Sequence, residues 1–149
     1  LKIYRSQGHE GSTPSLGTMI KAIFVDCGGT LFFVNGNNEP LLDFIRRHQN
    51  KYRFCIISDT TLDLEPSLHF FKIRDLFELV LTSGTTGFSK DKPEIYQLAL
   101  NILKIKSEDV FFIDDHEEFL SVAKTLGIQT ILYTTPETLA RDLKTMTGE

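Results

Sequence analysis

Short apolar runs alternate with helical patterns from Ile20 to Lys144, and three of those runs stop abruptly on carboxylates or a hydroxyl. The first is Ile20, Ala22, Ile23, Phe24 and Val25, followed at once by Asp26-Cys27-Gly28-Gly29-Thr30-Leu31. A run that is apolar on successive residues reads as a strand covered on both faces, as in a parallel sheet. Asp26 then falls at the carboxyl end of the strand, the edge where open α/β sheets place their ligands. Gly28 and Gly29 let the backbone turn sharply and let a ligand come close. Alone, this stretch is equally a strand ending in an ordinary Asp-x-Gly turn. Its weight comes from the other strand ends.

Arg53 to Ile57 predicts a second strand, ending in Ser58-Asp59-Thr60. Leu79 to Leu81 predicts a third, followed by the loop Thr82 to Ser89 and then Lys90. Val110 to Ile113 predicts a fourth, ending in Asp114-Asp115, and Thr130 to Tyr133 a fifth. Between them, helical spacing predicts a helix opened by Pro40, a short one over Leu62–Phe70 and another over Pro93–Leu103. A further helix carries Phe119, Leu120, Val122, Ala123 and Leu126 and stops at Gly127, and a closing one covers Pro136–Lys144. The segment from Val34 to Pro40 reads as a turn-rich loop. Strand–helix alternation throughout predicts a three-layer, Rossmann-like α/β domain around a parallel sheet of about five strands. The loops leave no room for a separate cap domain. Residues 1–18 lack periodicity and are expected to be a flexible N-terminal tail, some of it foreign to the natural chain, with the domain proper at 19–149.

The bulk of the chain excludes several roles. Its 149 residues suffice for one domain with a sizeable core. A net charge of −4 and the lack of a basic run argue against nucleic-acid binding. No apolar run is long enough to span a membrane. Two cysteines, Cys27 and Cys55, on strands or strand ends indicate no disulfide framework, so a reducing cytoplasm is the expected location.

In a parallel sheet the strand ends share one edge. Asp26, Ser58, Asp114 and Asp115 are therefore expected to converge there, with Lys90 at the mouth of the following helix. Buried carboxylates repel one another and require a cation. Hard oxygen ligands with room for water and phosphate suit Mg²⁺. A lysine and a hydroxyl beside it suit phosphoryl oxygens, and a carboxylate nucleophile can carry a phosphoryl group.

The ordered set Asp26-Cys27-Gly28-Gly29-Thr30-Leu31, Ser58, Lys90 and Asp114-Asp115 resembles the four motifs of the haloacid dehalogenase-like hydrolases. The resemblance extends from Ile20 to Tyr133 and includes K-D-K-P-E-I-Y-Q-L-A-L and V-F-F-I-D-D. It implies Mg²⁺-dependent phosphomonoester hydrolysis through an aspartyl-phosphate on Asp26. Ser58 and Lys90 would be catalytic and contact the phosphoryl group, with Gly29 also in the substrate site. Asp26, Asp115, Asp114 and the Gly28 carbonyl would hold the metal. The implied partner is a phosphorylated small molecule or a phosphoprotein, with no nucleic acid or membrane involved.

The sequence departs from the family in two places. Phosphatases of this family usually read D-x-D-G-T, the second Asp acting as general acid and base; here that residue is Gly28. General acid–base help is worth about 10² to 10⁴ in rate. A catalytically weak domain that binds a phosphorylated ligand or a protein partner is therefore the competing expectation. The absent cap implies an open site, suited to macromolecular substrates or to a neighbouring copy acting as lid in a homo-oligomer.

Smaller signals are excluded or read as structural. The loop G-T-T-G-F-S-K does not match a nucleotide P-loop and reads as a flexible approach to Lys90. Phe32, Phe33, Phe70, Phe71, Phe111 and Phe112 read as core or strand residues, with Phe32 or Phe33 placed to flank the site. Cys27 reads as packing, His116 as surface, and Asp59 and Asp63 as loop and capping residues. A receiver domain would carry its acidic pair first, whereas here it comes last. The dehalogenase reaction itself would call for a cap and added positive residues.

Overall fold

The structure is a computed structural model, and it describes residues 19–33 and 35–148. The expected N-terminal tail lies outside the described residues. Five strands form one sheet: β1 (Ala22–Val25), β4 (Arg53–Ser58), β5 (Leu79–Thr82), β6 (Val110–Asp114) and β7 (Gln129–Leu132). A two-residue hairpin, β2 (Phe32–Phe33) and β3 (Gly36–Asn37), follows β1. The helices are α1 (Glu39–Arg47), α2 (Glu65–Phe70), α3 (Ser83–Thr86), α4 (Glu94–Leu103), α5 (Glu117–Thr125) and α6 (Pro136–Thr147).

The sheet order is β5-β4-β1-β6-β7, and every neighbouring pair is parallel. Both faces are covered, so all four residues of β1 are buried. Ile23 and Val25 pack with Leu41, Leu42 and Ile45 of α1 and with Leu139 and Leu143 of α6. Ala22 and Phe24 face the other way, onto Ile95, Tyr96 and Ala99 of α4 and Leu120 and Ala123 of α5. Each large side chain so buried stabilises the fold by roughly 1.5–3 kcal/mol. The three-layer Rossmann-like architecture is as expected. Its chain order reverses between β1 and β6, so Asp26 and Asp114 end adjacent strands at the switch point.

Local differences have local causes. The helix expected from Leu62 begins at Glu65, because side chains capture the backbone first. Thr60 Oγ1 accepts from the Leu62 amide at 3.0 Å, and Asp63 Oδ1 accepts from the Glu65 amide at 3.0 Å. The expected flexible loop after β5 is instead the helical turn α3. Thr82 and Thr85 cap it reciprocally, and Gly87 ends it at φ 79°. The Gly84 amide donates to the Thr60 carbonyl at 2.9 Å, and a Cβ on Gly84 would stand 2.9 Å from Thr61 Cα. Only a glycine lets this turn dock so closely. The turn-rich segment before Pro40 contains the hairpin, whose two-residue strands are too short to show periodicity. Asn38 caps α1 through its side chain. The last helix runs on past Lys144 to Thr147 because Met146 extends its buried face.

Phe111 and Phe112 are core as expected, whereas Phe70 is 77% exposed and Phe71 44%. The short α2 buries Leu68 alone. Both cysteines are free and buried. Among the described residues, no helix is long and apolar enough to cross a membrane.

Candidate active site

Asp26 follows β1 directly and is buried. The turn beyond it is closed by backbone bonds from the Leu31 and Phe32 amides to the Cys27 carbonyl, at 2.8 and 2.9 Å. That turn brings Thr30 back, and Thr30 Oγ1 donates to Asp26 Oδ2 at 3.2 Å. Asn38 Nδ2 donates to the Thr30 carbonyl at 2.8 Å, tying the turn to the start of α1.

Lys90 is only 2% exposed and supplies the centre of the site. Its Nζ donates to Asp26 Oδ1 at 2.6 Å and to Asp114 Oδ2 at 2.7 Å. The ammonium also lies 4.6 Å from the centroid of the Phe119 ring. Tyr96, fully buried on α4, donates from its hydroxyl to the Lys90 carbonyl at 2.7 Å. The lysine is thus held at both ends.

Burial pushes Asp26 up to about 6, Lys90 pulls it down, and Asp114 and Asp115 push it up again. Asp114 is raised as well, by burial first, with Lys90 opposing. Burial alone would lower Lys90, but Asp26 and Asp114 more than offset it, so the ammonium is held above the ordinary lysine range. Burial and the Asp26 charge push the Cys27 thiol up to about 12, so it packs rather than reacts.

Asp114 Oδ1 accepts from the His116 amide at 2.9 Å. His116 Nδ1 lies 3.0 Å from Asp115 Oδ1 and 3.5 Å from Asp114 Oδ1. His116 is half exposed, as expected for a surface histidine. Burial lowers its pKa, and Asp115 and Asp114 more than offset this, leaving it raised. Despite its nearness to the imidazole, Asp115 Oδ1 is buried with no aligned hydrogen bond. Donor atoms of Asp114, Asp115 and His116 lie within 4.8 Å of one another. Two buried carboxylates, Asp26 and Asp114, thus share one ammonium, and Asp115 beside them adds negative charge that a cation would offset. The donor set is oxygen-rich, which fits Mg²⁺.

The site opens into a cleft of about 520 Å³, lined among others by Asp26, Gly28, Ser58, Asp59, Lys90 and His116. Phe32 also lines it, as one of the two phenylalanines expected at the site. Ser58, at the end of β4, is buried, and its hydroxyl meets no partner among the described residues. Gly28 is exposed on the cleft. Gly29 is pressed against Asp115. Asp114 and Asp115 do not line the cleft; they stand behind Lys90 and Gly29. A second hollow, of about 180 Å³ between α1 and α6, holds none of these groups.

The structure therefore gathers Asp26, Lys90 and Asp114 into one bonded cluster, with Asp115 beside it against His116 and Gly29, and Ser58 and Gly28 at its mouth. Sequence reasoning missed the bonds made by Thr30 and Tyr96, and it placed Asp59 in a loop without assigning it to the cleft. Tyr96 falls on the apolar stripe of α4 and so reads as core. A phenol six residues beyond Lys90 was the available signal.

A family model described as haloacid dehalogenase-like hydrolase matches residues 37–133. That segment includes Ser58, Lys90, Asp114 and Asp115 and begins after Asp26. Bifunctional epoxide hydrolase 2 of Sus scrofa is 35% identical over 117 residues, which are 74% of this chain and 21% of that protein. Acyl-CoA dehydrogenase family member 10 of Mus musculus is 37% identical over 75 residues, which are 50% of this chain and 7% of that protein. The chain thus spans about a fifth or less of the length of these relatives. A predicted HAD-like family hydrolase from Porphyromonas gingivalis superposes with a TM-score of 0.73 at 18% identity, covering 85% of this chain and 99% of that one. A HAD family enzyme from Bacteroides thetaiotaomicron, solved with magnesium and inorganic phosphate, gives 0.67 at 19% identity over 77% of this chain and 94% of that one. The match across residues 37–133, on the fold and motifs described, makes this chain a member of the haloacid dehalogenase-like hydrolases.

Proposed function

We propose that this chain hydrolyses phosphomonoesters, with Asp26 as nucleophile and Mg²⁺ as cofactor. The observation that carries the reading is the buried Lys90 ammonium, 2.6 Å from Asp26 and 2.7 Å from Asp114, at the cleft that Asp26 and Ser58 line. A purely structural ion pair need not face an open cleft, as Asp26 and Lys90 do. The magnesium found with phosphate in the Bacteroides thetaiotaomicron enzyme supports the same choice of cation.

Asp26 attacks phosphorus from a position fixed by Thr30 and Lys90. Lys90 neutralises charge between the nucleophile and the phosphoryl oxygens. Ser58, whose hydroxyl meets no partner among the described residues, hydrogen-bonds one of those oxygens. Gly29 lets the phosphate approach the backbone. Asp26, Asp115 and the Gly28 carbonyl hold the cation, and Asp114 supports it while orienting Lys90. Bound there, Mg²⁺ supplies charge to stabilise the phosphoryl oxygens. The open cleft suits a phosphorylated small molecule or a phosphoprotein side chain.

The test is phosphate release from a broad panel of phosphomonoesters, in Mg²⁺ and in EDTA. Release that requires Mg²⁺ supports hydrolysis, and release indifferent to EDTA overturns it. One observation favours a second reading: position 28 carries no carboxylate to move the proton. A domain that binds Mg²⁺ and phosphate by calorimetry, yet turns over no ester, would be a binding module.

A further inference from the structure

Hydrolysis of an alkyl phosphate needs a proton at the leaving oxygen, and glycine at position 28 has none to give. We propose that Asp59 supplies it, from the neighbouring strand. This inference rests on Asp26 being the nucleophile.

Asp59 lines the same cleft as Asp26, Gly28 and Lys90. It follows β4, which pairs with β1 in parallel with Val25 opposite Ile56. Gly28 leaves open room in that cleft: a Cβ there would meet no atom within 4 Å among the described residues. Asp59 and Gly28 thus line one cleft.

The other titratable groups at the cleft are already engaged. The titratable side chains lining the cleft are Asp26, Cys27, Asp59, Lys90 and His116. Asp26 and Lys90 hold each other, and Lys90 is also bonded to Asp114. His116 stands against Asp115 and Asp114. Cys27 is buried. Asp59 is exposed and makes no hydrogen bond or ion pair among the described residues. Its backbone is nevertheless fixed, because the adjacent Thr60 carbonyl accepts from the Gly84 amide at 2.9 Å and from Ser83 Oγ at 3.1 Å. Helix α3 therefore acts as a brace under the proton donor.

The two steps balance. In the first, a carboxylate oxygen of Asp26 bonds to phosphorus and the ester P–O bond breaks. The leaving oxygen takes the Asp59 proton and departs as an alcohol, leaving an Asp59 carboxylate. In the second, that carboxylate takes a proton from water as the water oxygen bonds to phosphorus. The Asp26–phosphorus bond breaks, phosphate leaves, and Asp59 is protonated again.

The experiment compares native protein with Asp59→Asn on two esters in Mg²⁺. 4-Nitrophenyl phosphate has a leaving group that needs no acid, and glycerol phosphate has one that does. Asp59→Asn should lower glycerol phosphate hydrolysis by about 10² or more. It should leave the first-turnover burst of nitrophenol near native and slow later turnovers. Adding Gly28→Asp to Asp59→Asn should restore glycerol phosphate hydrolysis, which a merely structural role would not allow. Native rates on both esters in Asp59→Asn overturn the role of Asp59 and leave the nucleophile untouched. A native protein silent on both esters overturns the hydrolase reading, and this inference with it.

Discussion

Gly29 and Asp115 are in such close approach that a Cβ on Gly29 would stand 2.5 Å from Asp115 Oδ2. Gly29 also holds φ at 84°, in the left-handed region that glycine tolerates. Gly28, one residue earlier, has an ordinary φ and empty space around it. Two adjacent glycines thus have opposite tolerance. Gly29→Ala should cost about 1–3 kcal/mol from backbone strain, plus the displacement of Asp115. Denaturant titration reads the first effect and calorimetric Mg²⁺ affinity the second.

Gly28→Asp should fold like the native protein and, added to Asp59→Asn, raise phosphomonoester turnover, within the roughly 10²- to 10⁴-fold range of general acid–base help. Steady-state kcat on an alkyl phosphate is the measurement. No gain in a folded, Mg²⁺-binding variant would count against the placement of position 28 at the reacting bond.

Lys90→Met removes the cation shared by two buried carboxylates. Breaking a buried pair on one side costs about 3–5 kcal/mol. Mg²⁺ should return part of that loss by replacing the missing charge, while turnover stays lost. Melting curves with and without Mg²⁺ separate the two effects. Arginine should not substitute, since its planar fork does not fit a slot shaped for a single ammonium beneath the Phe119 ring.

Tyr96→Phe deletes the 2.7 Å bond to the Lys90 carbonyl and leaves the ring packed against Phe112. The stability loss should be about 1 kcal/mol. The more telling change is a lower kcat with KM little moved, because Tyr96 positions Lys90 and does not meet substrate.

The pH dependence follows from Asp26. Burial raises its folded-state value to about 6, from 3.8 for an ordinary aspartate. Between those values the folded protein holds a proton that the unfolded chain has lost. Stability then falls as pH rises, and it levels off above about 6. In EDTA this carboxylate should therefore contribute most stability below pH 4. Mg²⁺ should bind more weakly at pH 5 than at pH 7, because ligation must displace that proton. Urea melts across pH in EDTA, beside calorimetry in Mg²⁺, test both signs.

Much of this arrangement was legible in the sequence because polar residues at the ends of apolar runs stand out. Asp26, Ser58 and Asp114 each end a run whose length and composition already mark a parallel strand. Lys90 was legible from its place before a helix and from the family motifs. The helical turn at Ser83–Thr86 was not, since Ser, Gly and Thr also favour loops. What decides it is tertiary: the capping threonines and the dock onto Thr60. Tyr96 was hidden for another reason. Its ring belongs to the core and only its hydroxyl belongs to the site, so apolar periodicity reports the former. Asp59 likewise looks like any loop carboxylate until its place in the cleft with Asp26 and Lys90 is known.

The most direct test is Mg²⁺-dependent phosphate release by the native protein beside Asp26→Asn, on the best ester from the panel. If Asp26 carries the phosphoryl group, the native protein releases phosphate only with Mg²⁺ and the folded variant releases none. Equal release by both proteins would contradict the assignment of Asp26 as nucleophile.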